Sequence, residues 1–231
     1  MTRGTIWWDF DGTLISRPSM WAEAASRIVR RLAPERECPD ASLLRALEEG
    51  MPWHRPDHAH PELTTPGQWW QCVFRRYVEV LRELGLSEAT TPEALDAIRR
   101  DILTPQRYSV YEDVEGVLSR LGDGGWRQVI VSNHVPELPQ LVEGLGLARH
   151  FAAIVTSGIV GYEKPHPRMF EVASTHTTPG KPVWMIGDNL VADCLSVAPL
   201  GVRAILVRVR ADPPYEREAH DLWEALRLVS I

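Results

Sequence analysis

The sequence predicts a doubly wound α/β sheet interrupted near its start by an all-helical block. Three observations carry this. Short apolar runs that read as buried parallel strands alternate with helical periodicities. Several of these runs end in acidic or polar residues, where ligands of such sheets bind. Between the first run and the second, residues 15–109 show helical spacing and no convincing strand.

With 231 residues, the chain suits a core with an inserted subdomain, here 1–14 and 110–231 around an insertion at 15–109. It is 44% hydrophobic, enough for a sizeable core, and its net charge of -6 implies no basic surface for nucleic acid. No run approaches the ~18 apolar residues of a membrane helix. The opening Met-Thr-Arg-Gly-Thr-Ile lacks a signal-peptide pattern. Cys38, Cys72 and Cys194 are dispersed without a Cys-x-x-Cys pair, which fits a reduced, cytoplasmic setting. Oligomeric state is not legible.

The first strand, 5–9, runs into Trp7-Trp8-Asp9-Phe10-Asp11-Gly12-Thr13-Leu14. Gly12 breaks the strand, so the carboxylates of Asp9 and Asp11 can converge above its end. Two such carboxylates can hold a hard cation such as Mg2+, or divide into nucleophile and proton donor. Backbone N–H groups and the Thr13 hydroxyl suit anionic oxygens. Asp-Gly alone would read as an ordinary turn.

In the insertion, Trp21, Ala25, Ile28, Val29 and Leu32 share one helical face, with Ser19 as a candidate cap. A second helix can start at Asp40 or Ser42 and stop at Gly50. A third covers 69–84, closed by Gly85, and a fourth 94–103. The segment 51–67 is rich in proline and histidine and cannot be a regular helix. His54, His58 and His60 show no ligand pair on one element, so a stiff surface loop is preferred over a zinc site. Trp53, His54 and Arg55 are candidates to reach over an active site.

From Tyr111 onward strands and helices alternate. A helix covers 112–121 and ends at Gly122. The strand 128–132 ends in Ser132 and Asn133, which can bond phosphoryl oxygens or simply cap a helix. A helix at 136–147 and a strand at 152–156 lead to Lys164-Pro165, where a lysine can present a fixed cation, although a lone lysine is usually solvated. The strand 182–187 ends in Asp188, with Asp193 on the next helical turn. A strand at 203–207 and a helix at 222–229 complete the chain. Trp7 and Trp8 read as sheet packing and Trp69-Trp70 as packing within the insertion, not as a platform for bases.

Asp9, Ser132 and Asp188 each close an apolar strand, and Lys164 follows another. They should meet at one edge of one sheet. That places a nucleophile, a proton donor, a metal and a cation in one cleft, as phosphoryl transfer requires.

In this order, Asp9-Phe10-Asp11-Gly12-Thr13, Val131-Ser132-Asn133, Lys164-Pro165 and Gly187-Asp188-Asn189 with Asp193 resemble the four signatures of the haloacid dehalogenase-like (HAD) hydrolase superfamily. The resemblance implies a Rossmann-like core with a mobile helical cap at 15–109. It implies that Asp9 attacks phosphorus to form an aspartyl phosphate, and that Asp11 is the general acid and base. Mg2+ would be held by Asp9, the Asp11 backbone carbonyl and Asp188, with Asp193 supporting its water shell. Ser132, Asn133, Thr13 and Lys164 would serve the phosphoryl group, and Lys164 would also restrain Asp9. The implied function is a Mg2+-dependent phosphatase for a small phosphorylated metabolite.

Asp193-Cys194-Leu195-Ser196 departs from the family's usual small residues after the last acid, and Glu163 puts a negative charge beside Lys164. Asp11 argues against a dehalogenase, which typically lacks the second acid. The absence of lysine from 1–163 argues against phosphonate cleavage through a Schiff base. A phosphomutase shares both acids and stays open. A non-catalytic binding role is disfavoured because no key polar residue is lost, and a receiver-type domain would order its acids differently.

Overall fold

The computed structural model describes residues 2–17, 19–35, 47, 51, 58–63, 65–88 and 90–229. Of the helix expected to end at Gly50, only Leu47 is described; it is helical and buried. Trp53, His54 and Arg55 lie outside the described residues.

A six-stranded sheet has the order β5-β4-β1-β6-β7-β8. Its strands are β1 (Gly4–Trp8), β4 (Trp126–Ser132), β5 (Ala153–Thr156), β6 (Val183–Gly187), β7 (Arg203–Val207) and β8 (Glu218–Ala219), and every pairing is parallel. The near-continuous apolar character of β1 and β4 follows from burial on both faces. Successive residues alternate between faces. Ile6 and Trp8 therefore join one core layer and Trp7 the other, where it stacks on Phe170 with ring centroids 6.0 Å apart.

Helices α1 (Met20–Leu32), α2 (Pro66–Glu83) and α3 (Thr91–Ile102) fall within residues 15–109. The apolar spacing of α1 buries Met20, Ala25, Ile28 and Val29. Ser19 does not cap it by side chain: it adopts a left-handed conformation (φ 58°), and only its carbonyl takes part, accepting from Glu23 N–H. Thr65 caps α2, with its hydroxyl accepting from Gln68 N–H. The expectation of no strand in 15–109 is corrected. Ile15–Ser16 (β2) pairs antiparallel with Ser109–Val110 (β3). Two-residue strands leave no period-2 signal to read. This short ladder ties the chain before α1 to the chain after α3.

The later helices are α4 (Val114–Asp123), α5 (Leu138–Gly144), α6 (Ser157–Val160), α7 (Pro167–Ser174) and α8 (Leu222–Val229). α4, α5 and α8 contribute to one core layer and α7 to the other. Among the described residues no helix is long and apolar enough to cross a membrane.

Candidate active site

β1 lies between β4 and β6, so the carboxyl ends of these three strands are neighbours. Asp9 follows β1, and its N–H donates to the Ile186 carbonyl at 2.9 Å, which fixes it over the sheet end. Asp188 follows β6. Asn189 then caps a π-helical turn, Leu190–Leu195, accepting from Val191 and Ala192 N–H at 3.0 and 2.9 Å. The turn folds Asp193 back, and its Oδ2 accepts from Asn189 N–H at 3.0 Å.

Lys164 closes this group. Its Nζ donates to Asp9 Oδ1 at 2.7 Å and to Asp193 Oδ1 at 2.6 Å, all three residues being buried. Burial alone would lower the Lys164 pKa, but the Asp193 and Asp9 carboxylates outweigh it and hold it above the ordinary value. Asp188 and Asp193 are pushed up, first by burial. For Asp188 the Asp9 charge adds to that; for Asp193 Lys164 opposes it.

Three carboxylates, Asp9, Asp188 and Asp193, each offer an oxygen within 4.8 Å of the others. A Cβ on Gly12 would strike the Asp188 carboxylate, and one on Gly187 that of Asp193, so both glycines permit this approach. An all-oxygen donor set of this kind fits a hard divalent cation.

Asp11 has a different environment. Its side chain is 40% open, and it faces a cavity of about 520 Å3 walled by Arg17, Met20, Trp21, Trp69, His134 and Lys164. Enclosure by protein, then the Asp9 and Asp188 charges, push its pKa to about 8. One carboxyl of the pair is thus ion-paired and buried, while the other faces open space.

Ser132 lies on the floor beside Asp9 and Lys164, and its buried hydroxyl has no hydrogen-bond partner among the described residues. Asn133 also borders the cleft, yet both polar atoms of its amide engage the Lys164 backbone: Nδ2 donates to the carbonyl at 2.9 Å and Oδ1 accepts the N–H at 2.6 Å. Thr13 is fully buried beneath the site; its hydroxyl is unpartnered among the described residues, and its carbonyl accepts from Arg208 Nε at 3.0 Å. Glu163 does not line the cleft. It is 3% exposed and hydrogen-bonded to Ser157, with its pKa raised to about 7 chiefly by burial.

A family model for haloacid dehalogenase-like hydrolases matches residues 4–201. The chain belongs to that family. It is 33% identical to a phosphoserine phosphatase of Thermus thermophilus over 142 residues, 60% of this chain and 56% of that protein. It is 28% identical to the mouse haloacid dehalogenase-like hydrolase domain-containing protein 3 over 204 residues, 87% of this chain and 80% of that one. The fold superposes on the magnesium-bound putative HAD-hydrolase YfnB of Bacillus subtilis with a TM-score of 0.74 and 19% identity, both chains being covered in full. Solved 2-haloacid dehalogenases share the fold as well.

Two cavity residues of this HAD-like hydrolase escaped the sequence reading. Arg17 sits just after β2, and its side chain is 2% exposed. Its NH2 donates to Asp101 Oδ2 at 2.5 Å, its NH1 reaches the Asp101 carbonyl at 3.2 Å, and its guanidinium lies 4.8 Å above the Tyr108 ring centre. Asp101 also meets Arg27 and Arg107, at 3.2 and 3.1 Å. The second residue is His134, directly after Asn133. Its place at a strand end was the available signal.

Proposed function

We propose that this HAD-like hydrolase is a Mg2+-dependent phosphatase that hydrolyses a small phosphorylated metabolite through an aspartyl phosphate on Asp9. The observation that carries this reading is the division between the two acids: Asp9 is buried and ion-paired to Lys164, whereas Asp11 opens onto the cavity. A nucleophile must be ionised and aimed, and a general acid must keep a proton within reach of the leaving oxygen.

Asp9 attacks phosphorus as the bond to the leaving oxygen breaks, and Asp11 gives its proton to that oxygen. Asp11, now ionised, takes a proton from water, whose oxygen displaces Asp9 from phosphorus. Lys164 holds Asp9 in line and offsets the charge of the entering phosphoryl group, while Ser132 donates its free hydroxyl to a phosphoryl oxygen. Asp9 and Asp188 with the Asp11 carbonyl would hold Mg2+, supported by Asp193; the ion would neutralise phosphoryl charge when bound. Asn133 serves this site through Lys164.

Residues 15–109 act as a cap in this reading. Met20, Trp21 and Trp69 come from that segment and form the cavity wall opposite the acids. Trp70 Nε1 and Arg99 both reach Glu137, just before α5, at 3.0 and 2.8 Å. Such contacts suit a wall that encloses the substrate and selects it.

The test is hydrolysis of an aryl phosphate with Mg2+ and with EDTA, for the wild type and Asp9→Asn. Turnover that needs Mg2+ and vanishes in Asp9→Asn supports the reading. A folded, Mg2+-supplied wild type inactive on this ester and on a panel of metabolite phosphates overturns it.

A further inference from the structure

His134 is buried, its side chain 1% exposed, and neither ring nitrogen has a hydrogen-bond partner among the described residues. Its backbone is fixed from the neighbouring strand end. The carbonyl accepts from the Thr156 hydroxyl at 2.7 Å and from Gly158 N–H at 3.1 Å, and the His134 N–H donates to Ser157 Oγ at 3.1 Å. The ring stands edge-on to Phe10, with centroids 5.5 Å apart and planes at 88°. Phe10 separates Asp9 from Asp11 in sequence. Nε2 lies 3.6 Å from Asp11 Oδ2, at the margin of the cavity.

Packing does not account for an imidazole here. A phenyl ring would fill the space beside Phe10 with no nitrogen to strip of water. An imidazole carries an N–H that can sit on Nε2, which a phenyl ring lacks. The Asp11 carboxyl lies within ion-pair range of the His134 ring.

We propose that His134 is a positioning residue for Asp11, its Nε2–H donating to Asp11 Oδ2 once a phosphate ester is bound. The other Asp11 oxygen is then the one that carries the mobile proton and faces the leaving group. When the ester bond breaks and the Asp9–phosphorus bond forms, that proton goes to the leaving oxygen, and the His134 N–H stays on the resulting carboxylate. At 3.6 Å the contact is longer than a hydrogen bond; catalytic contacts commonly tighten when substrate binds. The inference rests on the phosphatase reading above.

The experiment measures kcat/KM, which reports the step that expels the leaving group, for 2,4-dinitrophenyl phosphate and phenyl phosphate. A dinitrophenolate leaves without help, whereas phenolate needs the acid. In His134→Phe, kcat/KM should fall about 10- to 100-fold on phenyl phosphate and less than about 3-fold on the dinitrophenyl ester. His134→Gln, which can return an amide N–H near the position of Nε2, should recover most of the phenyl phosphate activity. Equal losses on both esters, or no loss on phenyl phosphate, overturn the positioning role while leaving the phosphatase reading intact. A wild type that hydrolyses neither ester, nor any of a metabolite-phosphate panel, overturns both. Thermal melts and circular dichroism of each variant separate misfolding from a local effect; if His134→Phe does not fold, a loss on phenyl phosphate alone in His134→Leu supports the proposal and an equal loss on both esters overturns it.

Discussion

Asn133 grips the backbone of Lys164 at both ends of its amide, donating to the carbonyl at 2.9 Å and accepting the N–H at 2.6 Å. The loop after α6 is thereby tied to the end of β4, and the Lys164 ammonium is delivered to Asp9 from a fixed origin. Replacing Asn133 with Ala removes both bonds without touching the acids. Stability should drop by about 1–3 kcal/mol, and kcat/KM roughly 10- to 100-fold as Lys164 and Asp9 lose alignment. Urea melts and aryl phosphate kinetics check both. Unchanged kinetics would show that Lys164 holds its place without this clamp.

Lys164→Met tests the ammonium itself. It leaves the Asp9 and Asp193 carboxylates buried with no cation between them. Breaking a buried pair from one side costs about 3–5 kcal/mol. Because the remaining acids repel one another, Mg2+ should raise the melting temperature of this variant more than that of the wild type. Calorimetry with Mg2+ and with EDTA reads the difference. An equal shift in both proteins would mean that Lys164 does not alter how the acids hold Mg2+, and no shift in either that they do not hold it.

Much of this arrangement was legible in the sequence. Apolar runs ending at Asp9, Ser132 and Asp188 are strand ends, and a parallel sheet brings its strand ends to one edge. The sheet also accounts for the tryptophans at positions 7 and 8, one for each face. The two-residue strands Ile15–Ser16 and Glu218–Ala219 were not legible, since they are too short to show a period. The orientation of Glu163 was not legible either. Its neighbour Lys164 enters the cleft, and consecutive side chains in an extended loop diverge, so Glu163 turns to Ser157. Arg17 and His134 were passed over because their partners, Asp101 and Asp11, are far away in the chain and only packing brings them near.

Among the described residues, the segment before α2 meets the loop before Lys164 at His60 and Pro61. His60 N–H donates to the Gly161 carbonyl at 2.7 Å, and Gly161 has φ +77°, which disfavours side chains. A Cβ there would come within 2.8 Å of the His60 carbonyl oxygen and 2.9 Å of Pro61 Cα. Gly161→Ala should therefore push residues 58–63 away and strain the loop at a cost of about 1–3 kcal/mol. If this contact seats the cavity wall, KM for a metabolite phosphate rises while hydrolysis of a small aryl ester changes little. Equal effects on both substrates would place the damage at Lys164 instead.

Glu163 sets a pH dependence of stability. Its pKa is about 7 in the folded chain and 4.5 as the ordinary value, with burial as the main cause. Below pH 4.5 both folded and unfolded chains hold the proton, and Glu163 costs nothing. Between 4.5 and 7 the unfolded chain releases it while the folded chain keeps it, so stability falls as pH rises. Above 7 both forms are ionised and the loss is complete. A gap of this size corresponds to roughly 3 kcal/mol at most. Glu163→Gln keeps the bond to Ser157 and removes the charge. Its stability should nearly match the wild type at pH 5 and exceed it by about 1–3 kcal/mol at pH 8. Denaturant melts at the two pH values give the comparison directly. A constant offset between the proteins would mean that Glu163 ionises in the folded chain as it does in water, and that its buried oxygen finds solvent.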